Sequence, residues 1–183
     1  MSGRVLMSER GFDLTLERLA CQLIEDFDDF NNVCMIGIQE SGVTLAECIF
    51  KKIYVHNNQQ VPEFGKLDIT FYRDDYRQKE KPLQPYSTEI NFLVQDKTVI
   101  LIDDVLYTGR TVQAAMTAIQ DFGRPSKVKM LSLVDRRFNR DLPIFSDYKG
   151  IVVDSRGETY VKVKWNHLGK GEVILHSNKN QLK

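Results

Sequence analysis

The sequence predicts an α/β domain, a twisted and mostly parallel sheet with helices on its faces and a small strand-rich cap. Three observations carry that prediction. Strand-like apolar runs alternate with helical periodicities from residue 33 to 134, the pattern of a doubly wound sheet. Val99-Ile100-Leu101-Ile102 is apolar at every position, as expected of a strand covered on both faces. In the last quarter of the chain the alternation stops, and short strands separated by glycine-containing turns replace it.

Taken in order, Leu16, Leu19, Ala20, Leu23, Ile24 and Phe27 recur at helical spacing and predict an amphipathic helix over roughly 13–29. Val33 to Ile38 follows as a short buried strand. Leu45, Ala46, Ile49, Phe50 and Ile53, after Gly42, define a second helix. Lys66 to Tyr72 reads as a strand because Leu67, Ile69 and Phe71 alternate with polar neighbours. Arg73 to Pro85 is charged, contains Pro82 and Pro85, and shows no period. Long stretches of this kind inside compact domains are often lids or binding loops, although composition alone fits a solvated linker equally well. Thr98 to Ile102 is the next strand. Gly109 to Phe122 is the third helix, with Val112, Ala115, Met116 and Ile119 on one face and Gly123-Arg124-Pro125 as its stop. Val128 to Val134 is a fourth core strand, and Ile151–Val153, Tyr160–Trp165 and Glu172–Leu175 read as short strands of the cap.

Composition narrows the classes of function. The 183 residues suit one globular domain, and a hydrophobic share of 42% supplies a core, which excludes a disordered chain. Lys and Arg total 25, as do Asp and Glu, so a nucleic-acid role would rest on a local patch. No apolar run approaches the ~18 residues of a membrane span, and Glu9 and Arg10 leave no room for a secretory leader. Cys21, Cys34 and Cys48 lack paired spacing and His56, His167 and His176 lie far apart, so buried free thiols are expected rather than a metal centre. A cytoplasmic protein is the expectation.

The segment that carries chemistry is Val99 to Thr111. Asp103 and Asp104 sit at the C-terminal end of a buried strand, where open α/β sheets bind their ligands. Thr108-Gly109-Arg110-Thr111 opens the next helix, whose unpaired amides and positive dipole end can hold a phosphate. Gly109 permits close backbone approach and the two threonines add hydroxyl donors. Adjacent carboxylates can grip sugar hydroxyls and orient a hydrated Mg²⁺. A ribose 5-phosphate fits that spacing. There is no G-x-x-x-x-G-K-[ST] and no G-x-G-x-x-G.

Asp103-Asp104-Val105-Leu106-Tyr107-Thr108-Gly109-Arg110-Thr111 resembles the 5-phosphoribosyl pyrophosphate (PRPP) loop of the type I phosphoribosyltransferases. It is closest to the pyrimidine operon regulator/uracil phosphoribosyltransferase branch. Asp68 to Asp75, Gly123-Arg124-Pro125-Ser126, Leu133-Val134-Asp135-Arg136 and Leu142-Pro143-Ile144 extend the resemblance in order along most of the chain. The resemblance implies the type I phosphoribosyltransferase-like fold as one domain over 1–183, with a core at about 30–140. A hood would come from the N-terminal segment and about 141–177, and a flexible lid from about 73–95. It further implies that a nucleobase and PRPP give a nucleoside 5-monophosphate and pyrophosphate, with Mg²⁺ as cofactor held by Asp103 and Asp104. Arg73 is assigned with them to catalysis. Val105 to Thr111 would bind the ribose phosphate, and Ser41 and Gly42 the pyrophosphate. Asp135 and the Tyr148–Val152 stretch, with Tyr148, Lys149 and Ile151 foremost, would contact the base.

Tyr107 matches the pyrimidine regulators, whereas enzymes acting on 6-oxopurines carry an Asp there, so uracil is favoured. Three segments depart from the family pattern. Gln39-Glu40-Ser41-Gly42 lacks the family's Lys and Arg; residues 135–141 run one residue longer without its Gly-His-Arg; and Ile151-Val152 replaces its Lys-Asn. The resemblance also includes messenger-RNA-binding members, for which Arg136, Arg137 and Arg140, extended by Arg124 and Lys127, would form the basic patch. A nucleotide-sensing regulator with little catalysis and a purine phosphoribosyltransferase are the alternatives. A homodimer or higher homo-oligomer is expected, with no membrane partner.

Overall fold

The central sheet consists of β2 (Val33–Ile38), β3 (Glu63–Leu67), β4 (Thr98–Leu106), β5 (Lys127–Arg136) and β6 (Tyr148–Val153). Its order is β3-β2-β4-β5-β6, parallel throughout. A second sheet is antiparallel and sets β8 (Gly171–Ser177) between β1 (Arg4–Met7) and β7 (Thr159–Trp165). These elements are those of a computed structural model, which describes residues 3–27, 29–73, 86–138, 140–154, 159–166 and 169–177. The fold is the type I phosphoribosyltransferase-like α/β arrangement, a five-stranded parallel core with a small antiparallel hood.

Each face of the core sheet is covered by residues whose spacing announced it. Helix α1 (Glu9–Asp26) starts where Ser8 accepts a hydrogen bond from the Gly11 amide at 3.4 Å. It buries Phe12, Leu16, Leu19, Ala20 and Leu23, and it ends where Phe27 turns extended. It lies beside α2 (Ser41–His56), which buries Leu45, Ala46, Ile49 and Ile53 against the same core as Ile100, Ile102, Leu131 and Leu133. On the opposite face, α3 (Arg110–Ile119) packs Val112, Ala115 and Ile119 with Val99 and Leu101 of β4. Phe12 meets Trp165 edge-on, with ring centroids 5.0 Å apart, so α1 also joins the hood to the core.

Several expectations are corrected. The strand placed at Lys66–Tyr72 is Glu63–Leu67. Beyond it the Asp68 carboxylate accepts from the Thr70 amide at 2.9 Å and from its hydroxyl at 2.6 Å, which draws Thr70–Tyr72 into a 3₁₀ turn. β4 runs past Ile102 to Leu106 and carries the two aspartates within it. α3 closes at Ile119, followed by a 3₁₀ turn over Gln120–Phe122. β6 belongs to the core rather than to the hood. Positions 74–85 of the expected lid lie outside the described residues, while Glu89 pairs antiparallel with Lys66 along the edge of β3. Cys34 is buried, and burial pushes its thiol up to about 12, but Cys21 is exposed. No helix among the described residues is long and apolar enough to cross a membrane.

Candidate active site

The site gathers where β2, β4 and β5 end. Gly42 is the reason α2 can begin there. A Cβ on this residue would lie 2.5 Å from the Ile102 carbonyl oxygen and 3.1 Å from the Asp103 Cα, so only glycine lets the first turn of α2 rest on the strand just before the acids. That approach sets Ser41 beside Asp104, whose carboxyl it pulls down against the effect of burial. The Asp104 amide in turn donates to Asp103 Oδ1 at 2.9 Å.

Burial pushes the Asp103 carboxyl well above the usual carboxylate range, and the neighbouring Asp104 charge adds to this, with Arg73 acting in the opposite direction. Asp104 is raised as well, again by burial, and the Val105 amide and Ser41 oppose the shift. Two half-buried carboxyls side by side at a strand end, both held above the usual carboxylate range, form a place where positive charge is favoured.

Past Leu106 the chain makes the expected turn. Gly109 has φ of +93° and caps α3, a conformation that favours glycine. The segment 140–144 braces this turn. The amides of Asp141 and Leu142 donate to the Thr108 carbonyl at 3.0 and 3.2 Å, and Arg110 Nε pairs with Asp141 Oδ2 at 2.9 Å. Arg140 donates both to the Tyr107 carbonyl and to the Asp135 carboxylate.

In the segment before α2, Gln39 Nε2 donates to the Ser87 carbonyl at 3.4 Å, and the neighbouring Glu40 pushes the Tyr86 phenol up. The segment that returns from 86 onward is thereby tied to the start of α2.

Asp103, Asp104, Arg73, Ser41, Gly42 and Tyr107 to Thr111 thus converge. The side chains of Val105 and Leu106 pack into the two cores, so these two residues offer only backbone. Asp135 and Lys149 line a cavity of about 330 Å³ with Arg137, Arg140, Phe145 and Val152, beside the ends of β5 and β6. Ile151 packs against the core, and Val152 takes the cavity position instead.

Tyr148 does not join them. Its hydroxyl donates to Asp26 Oδ2 at 2.6 Å and accepts Lys129 Nζ at 2.7 Å, which ties β6 to the end of α1. Burial, followed by the bond to Asp26, pushes its phenol from 10.0 up to about 12. A phenol raised by folding contributes stability that is full below pH 10 and is lost as pH climbs through 12. Tyr148→Phe is therefore expected to flatten the fall in unfolding free energy between pH 10 and 12, measured by urea titration; an unchanged slope would count against the assignment.

The expected basic patch does not form as one surface. Arg136 is buried, Arg140 is enclosed by Asp135 and Tyr107, and Arg124 and Lys127 sit at the far end of β5. Arg137 stays exposed, paired with Asp154 at 2.9 Å. Arg140, which the sequence offers only as part of a basic patch, escapes a reading as part of this site, because nothing in local spacing marks a residue by the loop it braces.

A glycine turn, two adjacent acids and a cavity beside them all lie at the carboxyl ends of parallel strands. The chain belongs to the phosphoribosyltransferase family: residues 9–165 match the phosphoribosyl transferase domain. Within that class it is 46% identical over 162 residues to bifunctional protein PyrR of Microcystis aeruginosa, covering 88% of this chain and 90% of that one. PyrR of Listeria monocytogenes serotype 4a is 39% identical over 180 residues, 97% of each chain. Hypoxanthine phosphoribosyltransferases share the fold. That of Trypanosoma cruzi superposes with a TM-score of 0.71 at 12% identity over 97% of this chain and 98% of its own. That of Staphylococcus aureus gives 0.69 at 17% over 100% and 96%.

Proposed function

We propose that the protein joins uracil to PRPP, giving UMP and pyrophosphate. The observation that carries this reading is the succession of Asp103 and Asp104 at the end of β4, the Gly109 turn and the start of α3. The choice of uracil draws on Tyr107 and on the similarity to the PyrR proteins.

In this reading the amides and hydroxyls of Thr108 to Thr111 hold the 5-phosphate. Asp103 and Asp104 grip the 2- and 3-hydroxyls and stabilise the positive charge that develops on the ribose as the C1–pyrophosphate bond breaks. Uracil N1 attacks C1 from the opposite face as pyrophosphate leaves, and the N1 proton passes to an oxygen of the departing pyrophosphate. Ser41, Gly42 and Arg73 contact pyrophosphate, and Asp135 and Lys149 border the base. Little covalent chemistry falls to the protein, so orientation and electrostatics do the catalysis.

The donor set fits Mg²⁺. Two adjacent, half-buried carboxyls supply hard oxygens, and no group of three or more metal-ligating side chains occurs among the described residues to build a closed cage. Asp103 and Asp104 would hold the ion, which when bound neutralises charge on the leaving pyrophosphate.

A second reading, a pyrimidine-nucleotide sensor that binds RNA, is favoured by one observation. Arg18 donates to the carbonyls of Lys149 and Gly150 at 2.9 and 2.8 Å, which places three exposed cations, Arg18, Arg137 and Lys149, near the β6 edge. Turnover with PRPP and Mg²⁺ against uracil, orotate, hypoxanthine, guanine and xanthine separates the readings. Pyrophosphate release with uracil alone supports the first. Release with a purine overturns the choice of base. No release, with UMP bound and salt-dependent RNA binding, supports the second.

A further inference from the structure

Arg136 is 4% exposed, yet no step of the proposed chemistry uses it. Its guanidinium carbon lies over the Tyr107 ring, 3.9 Å from the ring centroid. Its Nη2 donates to the Thr159 carbonyl at 2.9 Å. Tyr107 stands between the aspartates and the phosphate turn, and Thr159 is the first residue of hood strand β7. One side chain therefore touches both sheets at the mouth of the site. One face of the Tyr107 ring lies under Arg136, and the residue as a whole is half-buried rather than closed off. Its backbone is held independently by Arg140, which also orients Asp135. A planar guanidinium suits such a position because it stacks on an aromatic face while its N–H fork keeps directed donors, and an ammonium does not.

We infer that Arg136 is a positioning residue for the nucleobase: it fixes the plane of Tyr107 as one wall of the base site and ties that wall to the hood. The inference rests on the phosphoribosyltransferase reading above. It implies that the base, and not PRPP, senses the loss of Arg136.

Steady-state kinetics on the full chain, varying uracil and PRPP separately, tests it. Arg136→Met is expected to raise the KM for uracil about tenfold, the scale of a desolvated cation–π interaction, and to change the KM for PRPP by less than about twofold. Arg136→Lys keeps the charge but not the planar fork, and should recover only part of the effect. Should Arg136→Met fail to fold, Arg136→Lys alone reads the effect, with a rise of about threefold. Adding Arg136→Met to Tyr107→Leu should bring little further change, because both remove the same wall. An unchanged KM for uracil, equal rises for both substrates, or multiplying effects in the double variant would overturn the inference and leave the activity standing. A wild-type protein that turns over no base overturns the activity and the inference with it.

Discussion

Asp104→Asn is expected to lower the turnover of uracil and PRPP by roughly 10²–10³-fold, the scale on which removing one preorganised electrostatic interaction slows a reaction. The substitution keeps the size and the hydrogen-bonding shape of the side chain and removes only its charge. In the proposed role that charge faces a ribose that becomes cationic, and the low-dielectric strand end makes the attraction strong. Folding failure would not explain such a fall. The pKa of Asp104 is raised above its ordinary 3.8 in the folded protein, so the stability linked to this group is full below 3.8 and is lost as pH rises through the folded value. An amide does not titrate, and at neutral pH the variant should therefore unfold at the same temperature as wild type or a higher one. Pyrophosphate release and a thermal melt, recorded on the same preparation, check both halves. Turnover close to wild type would remove Asp104 from the mechanism.

The second large effect is expected from Gly42→Ala. The new methyl would press on the Ile102 carbonyl and the Asp103 Cα, both backbone atoms that cannot rotate away. Overpacking of this kind costs about 1–3 kcal/mol, which corresponds to a fall of roughly 3–10 °C in Tm for a chain of this size. Activity should fall further than stability, because the shift lifts Ser41 off Asp104 and moves the start of α2 away from the acids. Gly11→Ala in α1 is the comparison, since a Cβ there meets nothing nearer than 3.5 Å. If both variants melt and turn over alike, the close approach of α2 to β4 is not what shapes the site.

Such approaches between distant segments mark the boundary of what the chain alone makes legible. The apolar run of β4, the paired acids and the glycine turn are local patterns, and each appears where its spacing indicates. β3 is displaced from its expected place because the alternation of Leu67, Ile69 and Phe71 continues beyond the strand. The capture of Thr70 by Asp68 ends it, and a side chain bonding its own backbone leaves no periodic trace. β6 reads as part of the hood because the described residues between β5 and β6 form no helix, so the usual sign of a parallel crossover is missing. Tyr148 looks available to the base in the sequence, but its partner Asp26 lies 122 positions away. The stacking of Arg136 on Tyr107 likewise joins two strand ends that no local pattern connects.

The hood sheet has a consequence for how the protein is made. Arg4 pairs with Leu175 and Val5 with Ile174, so the earliest described strand finds its partner in the latest. At ordinary elongation rates β1 leaves the ribosome roughly 8–30 s before β8. Strands β2 to β6 and helices α1 to α3 are synthesised in that interval and can dock on one another without the hood. The parallel core and its aspartates can thus assemble on the nascent chain while β1 still exposes unpaired backbone, and the hood is the last part to close.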